Sequence, residues 1–381
     1  MNIDQLRQEF PVTEQWAFLD HAAVAPLPQR SRDAIHEWAS SLCDHGVAGA
    51  RLWLKRLKEV REMMARLLNG EADEIAFVKN TTEGVGFVAE GYPWQAGDNV
   101  VTAAEEYPTN VYPWMNLQSK GVEVRLVKSR GSRIEMDDLV AQLDDRTRLV
   151  SLSFVEFASG FRNDLDKIGG LCRERGIHFF VDAIQGLGAL PLDVKKTPID
   201  FLSADSHKWM LGPEGAGVFW IRKELIDFLR PIEVGWNSVV DAWNFDELKF
   251  DLKPSADRWE GGTWNAAGIH AMGRSVELLL ELGLEQVAAR IQHLTECLCE
   301  QASNVGLQVF SSREESEWSG IVSLIVPGSD PRDLMKRCRE QGIIVNNRGG
   351  RLRISPHCYN TEEEIDRLIE ALRPFRTHPV T

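Results

Sequence analysis

The sequence predicts an α/β protein: a large domain on a mostly parallel, doubly wound sheet, followed by a smaller α+β domain. Three observations predict this. Short apolar runs alternate with helix-length stretches between about residues 75 and 221. That alternation breaks near residue 260. An acidic residue, Asp182, ends one of the apolar runs, and ligands of such sheets bind beyond the carboxyl ends of strands.

Taken in order, the runs 75–78, 99–102, 122–127, 149–153, 177–182 and 216–221 read as strands. Between them lie stretches long enough for helices. Before the first, 51–69 repeats apolar residues at Leu54, Leu57, Val60, Met64 and Leu67, with Gly70 as the expected C-cap. Past residue 260 come two long helices, 264–282 and 284–304, a strand at 321–326 and a helix at 331–341. Strands at 343–345 and 351–354 follow. The final helix opens on Thr361-Glu362-Glu363-Glu364, a capping box in which Thr361 caps and Glu364 reaches back. The expected division is an N-terminal segment, 1–17, packing on the small domain, a large domain, 18–258, and a small domain, 259–381. No internal repeat, low-complexity tract or flexible linker interrupts it.

A chain of 381 residues can bury on the order of three quarters of its unfolded surface. Its 43% apolar and 26% charged content is ordinary for a globular protein. The net charge of −14 argues against nucleic acid and anionic membranes as partners. No run approaches the ~18 apolar residues of a membrane span. The first ten residues mix charges of both signs and predict no signal peptide. Six scattered cysteines without CxxC spacing predict neither a metal site nor a disulfide framework, but reduced thiols and a cytoplasmic setting.

The most informative run is Asp205-Ser206-His207-Lys208-Trp209-Met210-Leu211-Gly212-Pro213, which follows Phe179-Phe180-Val181-Asp182-Ala183-Ile184-Gln185. A lone lysine is by default a solvated charge, and many strands end in Asp. Together they are what a pyridine-ring aldehyde cofactor needs. The lysine forms an imine with the aldehyde, and the carboxylate holds a proton on the ring nitrogen so that the ring accepts electrons.

These two runs resemble the class V aminotransferases of pyridoxal-phosphate fold type I, a group that includes cysteine desulfurases, isopenicillin N epimerase and kynureninase. The resemblance extends from Phe18-Leu19-Asp20 to Tyr359-Asn360-Thr361. It implies pyridoxal 5'-phosphate as cofactor and a homodimer with composite active sites. Asn80-Thr81-Thr82-Glu83-Gly84, a plain N-cap when taken alone, would grip the phosphate with Thr81 and Thr82. Where the family carries a serine three residues before the lysine, this chain has Asp205, so Ser206 or Ser203 is expected to supply the hydroxyl while Asp205 turns away. His207 should lie near the phosphate or the imine. Thr263, in Glu260-Gly261-Gly262-Thr263, would reach a neighbouring subunit's phosphate; on its own that run would be a turn. Tyr107 stands where desulfurases carry a stacking histidine, and Gln185 should donate to the cofactor's ring oxygen.

At the substrate end Arg353 matches the arginine that holds an α-carboxylate, a task suited to a planar, bidentate guanidinium. His21 and Ala22 fall in the segment that lines the substrate pocket. Glu156 stands where relatives often place a small or amide side chain. The interval 346–352, where desulfurases carry their catalytic cysteine, holds none. The resulting expectation is Cα chemistry on a small amino acid, most of all aminotransferase-type, with Lys208 as imine former and base, Asp182, His207 and Tyr107 assisting. An epimerase, a cysteine C–S lyase and a non-catalytic cofactor-binding sensor remain as alternatives.

Overall fold

The structure, a computed structural model, describes residues 1–375; residues 376–381, the end of the expected 259–381 domain, lie outside the described residues. Seven strands form the large sheet in the order Ile75–Val78, Gly217–Ile221, Phe201–Asp205, His178–Asp182, Thr147–Ser153, Asn99–Ala103, Glu123–Val127. From Phe201–Asp205 onward neighbouring strands run parallel, and Gly217–Ile221 is antiparallel to both its neighbours. This is the mostly parallel sheet that the alternation predicts. The Phe201–Asp205 strand is the one not read from the sequence, because Ser203 and Asp205 break its apolar run. Both are buried all the same.

Helices cover both faces, so the strands are apolar on both sides. Val101, Val150, Val181 and Leu202 enter one core, whereas Val100, Leu149, Phe180 and Phe201 enter the other. On the second face the Thr81–Gly91 helix lies against the sheet at Gly84, where a Cβ would come within 2.3 Å of the Ser203 Oγ. Glycine there is what lets the N-terminus of that helix approach the strand ends.

A four-stranded antiparallel sheet, Asn346–Arg348, Arg351–Ile354, Val322–Ile325, Gln308–Val309, has its own core with Leu294, Leu298 and Leu368. Ala17–Phe18 pairs in parallel with Ile343–Ile344. Arg7 pairs with Glu364, and Leu6 and Phe10 enter the large core, Phe10 stacking on Tyr359 with centroids 3.9 Å apart.

Two local expectations are corrected. The Ala50–Leu68 helix ends on Asn69, whose φ of 54° is left-handed, rather than on Gly70; asparagine tolerates that region because its short side chain bonds locally. Leu57, Val60, Met64 and Leu67 are buried in that helix, but Leu54 is exposed because the first turns project beyond the core. The Glu362–Leu372 helix carries the expected box, with Thr361 N–H donating to Glu364 Oε2 at 3.0 Å.

Candidate active site

A cavity of about 390 Å³ opens beyond the carboxyl ends of the parallel strands. Of the residues singled out from the sequence, Ala22, Thr81, Thr82, Tyr107, Asp182, Gln185, His207, Lys208 and Arg353 line it. His21, Ser206 and Thr263 are not among its lining residues. A larger cleft of about 710 Å³, bounded by Arg66, Arg162 and Glu285, contains none of the predicted site residues.

Lys208 is delivered by the turn after Phe201–Asp205. Trp209, Met210 and Leu211 anchor that turn in the core, and Leu211 takes a left-handed φ of 59°. Such a backbone costs a branched-chain residue roughly 1–2 kcal/mol, and here burial of three consecutive side chains holds it. Lys208 is 8% exposed, with Nζ 5.5 Å from the centroid of the Tyr107 ring. Burial pulls its pKa down to about 8; Asp182 and Asp205 oppose this, while Arg353 and Arg348 add to it. Asp182 moves the other way, to about 6, mainly through burial, against the Ile184 N–H and the Lys208 charge. One of its oxygens accepts from Ile184 N–H at 3.0 Å. The other makes no protein hydrogen bond, and the residue lines the cavity, as a partner for a protonated ring nitrogen must.

On one side of the lysine the cavity meets the start of the Thr81–Gly91 helix. Asn80 caps it, accepting from Glu83 N–H at 3.0 Å, and the first N–H groups and the Thr82 hydroxyl face a place fit for a phosphate. The Thr81 Oγ1 accepts from Asp205 N–H at 3.0 Å. Asp205 does not turn away: it lines the cavity, with Oδ2 2.9 Å from His207 Nδ1 and Oδ1 accepting from Ser206 N–H at 2.7 Å. The His207 contact is off the line of a hydrogen bond, and its Nδ1 has no hydrogen-bond partner. The expected serine hydroxyls are spent elsewhere: Ser206 donates to Pro213 O at 2.9 Å and Ser203 to Val218 O at 3.2 Å. Of the nearby hydroxyls, Thr81 Oγ1 keeps its own proton free to donate, and Thr82 Oγ1 lies 2.9 Å from Thr109 Oγ1, where either can be the donor.

On the other side stands Arg353, 1% exposed. It donates to Phe157 O at 2.9 Å and to Asp20 Oδ1 at 3.2 Å, and its Nε has no partner. Burial lowers its pKa to about 10 against the pull of Asp20, so the guanidinium stays charged. Arg348 also lines the cavity. Tyr107 is half-exposed and edge-on to Phe157, with ring centroids 5.3 Å apart. Gln185 is held by its amide, donating to Ala22 O and accepting from Trp209 Nε1, both at 3.0 Å. One amide hydrogen remains for the cavity. His21 sits behind the wall, between Ser355 O at 2.8 Å and Tyr359 Oη at 2.7 Å; burial holds its pKa well below the ordinary range, so it is neutral. Thr263 is exposed beside a separate cleft with Lys79 and Glu83.

Asp20, Phe157 and Arg348 are site residues that the sequence reading passed over. Asp20 stood in a quoted segment, and Arg348 in an interval read for its lack of cysteine. The bonds of Asp20 and Phe157 to Arg353 are tertiary facts with no local signal, and Arg348 acts on Arg353 only as a like charge.

A buried lysine of lowered pKa, a carboxylate with a free oxygen and a phosphate-ready helix start fit pyridoxal 5'-phosphate, and with the sheet they define a fold type I enzyme of that cofactor. The chain belongs to the aminotransferase class-V family, whose model matches residues 17–368. It is 30% identical over 395 residues to a probable cysteine desulfurase of Methanothermobacter thermautotrophicus, covering 98% of each chain. Among solved structures it is similar to the apo cysteine desulfurase of Thermococcus onnurineus NA1, at TM-score 0.89, 25% identity and 98% coverage of each chain. A cystine C–S lyase in complex with cysteine persulfide shares the fold, at TM-score 0.90 and 22% identity over 97% of this chain and 100% of that one. No helix among the described residues is long and apolar enough to cross a membrane.

The lowered pKa of Lys208 has a consequence for stability. Between about 8 and the ordinary 10.5 the unfolded chain binds a proton that the folded chain does not, so stability rises with pH across that window. Below it the buried ammonium costs on the order of 3 kcal/mol. Cofactor-free Lys208→Met is expected to melt higher than the wild type at pH 7, with an advantage that shrinks toward pH 10.5. Equal melting at pH 7 would show that the ammonium is not desolvated.

Proposed function

We propose that this enzyme moves the α-proton of a small amino acid by aminotransferase-type chemistry, with Lys208 as the base. The carrying observation concerns the candidate proton carriers Lys208, Tyr107, His21 and His357. Lys208 and Tyr107 line the cavity, as does His207 on the lysine's own turn, its Nδ1 2.9 Å from Asp205 Oδ2, whereas His21 and His357 are buried behind it, both neutral through burial. When bound, the cofactor supplies an aldehyde that condenses with amines and a ring that accepts the Cα electrons. Around it Asp182 holds the ring proton and Arg353 the substrate carboxylate. The half-exposed Tyr107 ring offers a face for stacking, which is the role read for it here. One mobile lysine suffices to carry a proton on one face between the substrate Cα and the cofactor's aldehyde carbon, two carbons joined through one nitrogen. Epimerisation needs a second acid on the opposite face.

A second reading, direct C–S elimination, draws support from the cysteine desulfurase relatives. It would have to run without a cysteine nucleophile, since none of the residues lining the cavity is a cysteine. Cys358 is buried, its N–H donating to His357 Nδ1 at 2.8 Å. All six thiols are free, which supports a reducing, cytoplasmic setting as part of the proposal.

The proposal includes a homodimer with composite sites. Glu260 is clamped by Arg61 at 2.6 and 2.9 Å and by Phe77 N–H at 2.7 Å, which fixes the loop and leaves Thr263 exposed. From Trp264 an aromatic chain runs through Trp236 and Trp243 to Phe245, and Trp243, Phe245, Leu248 and Phe250 expose most of their surface. A second copy would cover that strip.

The reaction is tested by incubating the holoenzyme with candidate amino acids in deuterated water. Keto acid together with accumulation of the pyridoxamine form is the expected result. A Cα-deuterated enantiomer without keto acid would mean epimerisation, and sulfide or pyruvate from cysteine derivatives would mean elimination. For the dimer, Thr263→Ala is expected to weaken cofactor retention, because dimerisation and cofactor binding are linked by mass action. A wild-type monomer that holds the cofactor normally would refute the composite site.

A further inference from the structure

Three carboxyl side chains are buried side by side at the carboxyl edge of the sheet, and the reaction as read uses one. Asp182 ends its strand, Glu156 follows the neighbouring Thr147–Ser153 strand, and Glu106 follows Asn99–Ala103, next in the sheet; they are 2%, 6% and 6% exposed. Ser153 joins them. It lies opposite Asp182 in the ladder; its N–H donates to Glu106 Oε1 at 2.6 Å, and its Oγ lies 2.5 Å from Glu106 Oε2. Its carbonyl accepts from Asn163 Nδ2, which also donates to Glu156 Oε1, both at 2.8 Å. Neither glutamate is paired with an arginine, lysine or histidine among the described residues.

Three carboxylates buried this close cannot all be ionised. The groups that face them are Asp182, Glu105, Ser153 and Asn163, with Lys208 as the cation acting on Asp182. Burial is the largest influence on each. It carries Glu156 up to about 8, helped by the Asp182 charge and opposed by Asn163. It carries Glu106 well above the usual range, with Glu156 adding to the effect. Asp182, which has Lys208 and a backbone N–H on its side, rises only to about 6. Burial and mutual repulsion therefore favour the protonated form at the glutamates over the protonated form at Asp182.

We propose that Glu106 and Glu156 are positioning residues, a proton-holding pair behind Asp182 that leaves the cluster's single negative charge on the residue meeting the cofactor's ring nitrogen. This rests on the reading of Asp182 as that nitrogen's partner. The pair touches neither substrate nor cofactor and acts through Asp182. Loss of the Glu156 proton would set a second anion beside Asp182 and change the field at the ring.

Glu156→Gln keeps the shape of the neutral acid and its bond from Asn163 while removing the titration. Infrared difference spectra of the cofactor-free wild type against E156Q at pH 7 should show the carbonyl band of a protonated carboxylic acid, lost in the variant. In the wild type that band should fade as pH rises through about 8. With the cofactor bound, absorbance followed from about pH 6 to about pH 9 should show an alkaline step in the wild type that E156Q lacks. A carboxylate band for Glu156 at pH 7 would overturn the pair itself. A protonated band with superimposable absorbance titrations would overturn its role behind Asp182. Should E156Q fail to fold, the wild-type infrared titration decides: a band that fades toward pH 9 supports the pair, and the absence of such a band at pH 7 refutes it.

Discussion

An ammonium group loses its hydration on entering a protein, and Lys208 enters with little to replace it. It stands 8% exposed, with the Asp182 carboxylate as the first-ranking attraction against that loss. A lysine in this condition is a poor surface cation and a good nucleophile and base, since a larger share of it is neutral at physiological pH. The placement is costly to stability, and the surrounding fold is arranged to hold it. The left-handed Leu211 backbone, the buried Trp209 and the parallel strands that end at Asp182 and Asp205 all fix the floor on which the lysine stands.

The same floor is tied to the small antiparallel sheet through residues 20–25. Ala25 N–H donates to His207 O at 2.7 Å, and Ala22 O accepts from Gln185. Asp20 holds Arg353, and its neighbour His21 donates its backbone N–H to Ser355 O at 3.1 Å. A short segment thus sets the distance between the cofactor side of the cavity and the substrate side. Asp20 makes this attachment against its own desolvation, which raises its pKa despite the Arg353 charge. Loss of either member would leave a buried charge without its partner, a change that typically costs about 3–5 kcal/mol.

What the sequence made legible follows from how local each signal is. Apolar alternation placed six strands of the large sheet within a few residues, because strands buried on both faces must be apolar throughout. Phe201–Asp205 escaped since its two polar residues look like a loop until their neighbours are known. Asp182, Lys208, Tyr107, Gln185 and Arg353 each sit in a motif legible in the sequence, and all line one cavity. Asp205 lines the cavity rather than turning away, because Ser206 N–H, Thr81 and His207 hold it from three sides that no local pattern reveals. Ser206 stands next to the position where the family carries a serine, but its hydroxyl is taken by Pro213 O. The partners of Arg353 and the link from Ser153 to Glu106 join residues far apart in the chain, and no spacing rule announces them.

The central claim is that burial beside Asp182 makes Lys208, among all the lysines of the chain, the one that takes the cofactor covalently. Borohydride reduction of the pyridoxal-phosphate-loaded enzyme, followed by proteolysis and mass mapping, tests it most directly. The account predicts a single pyridoxyl label on Lys208. A label on another lysine, or one spread among exposed lysines, would contradict it.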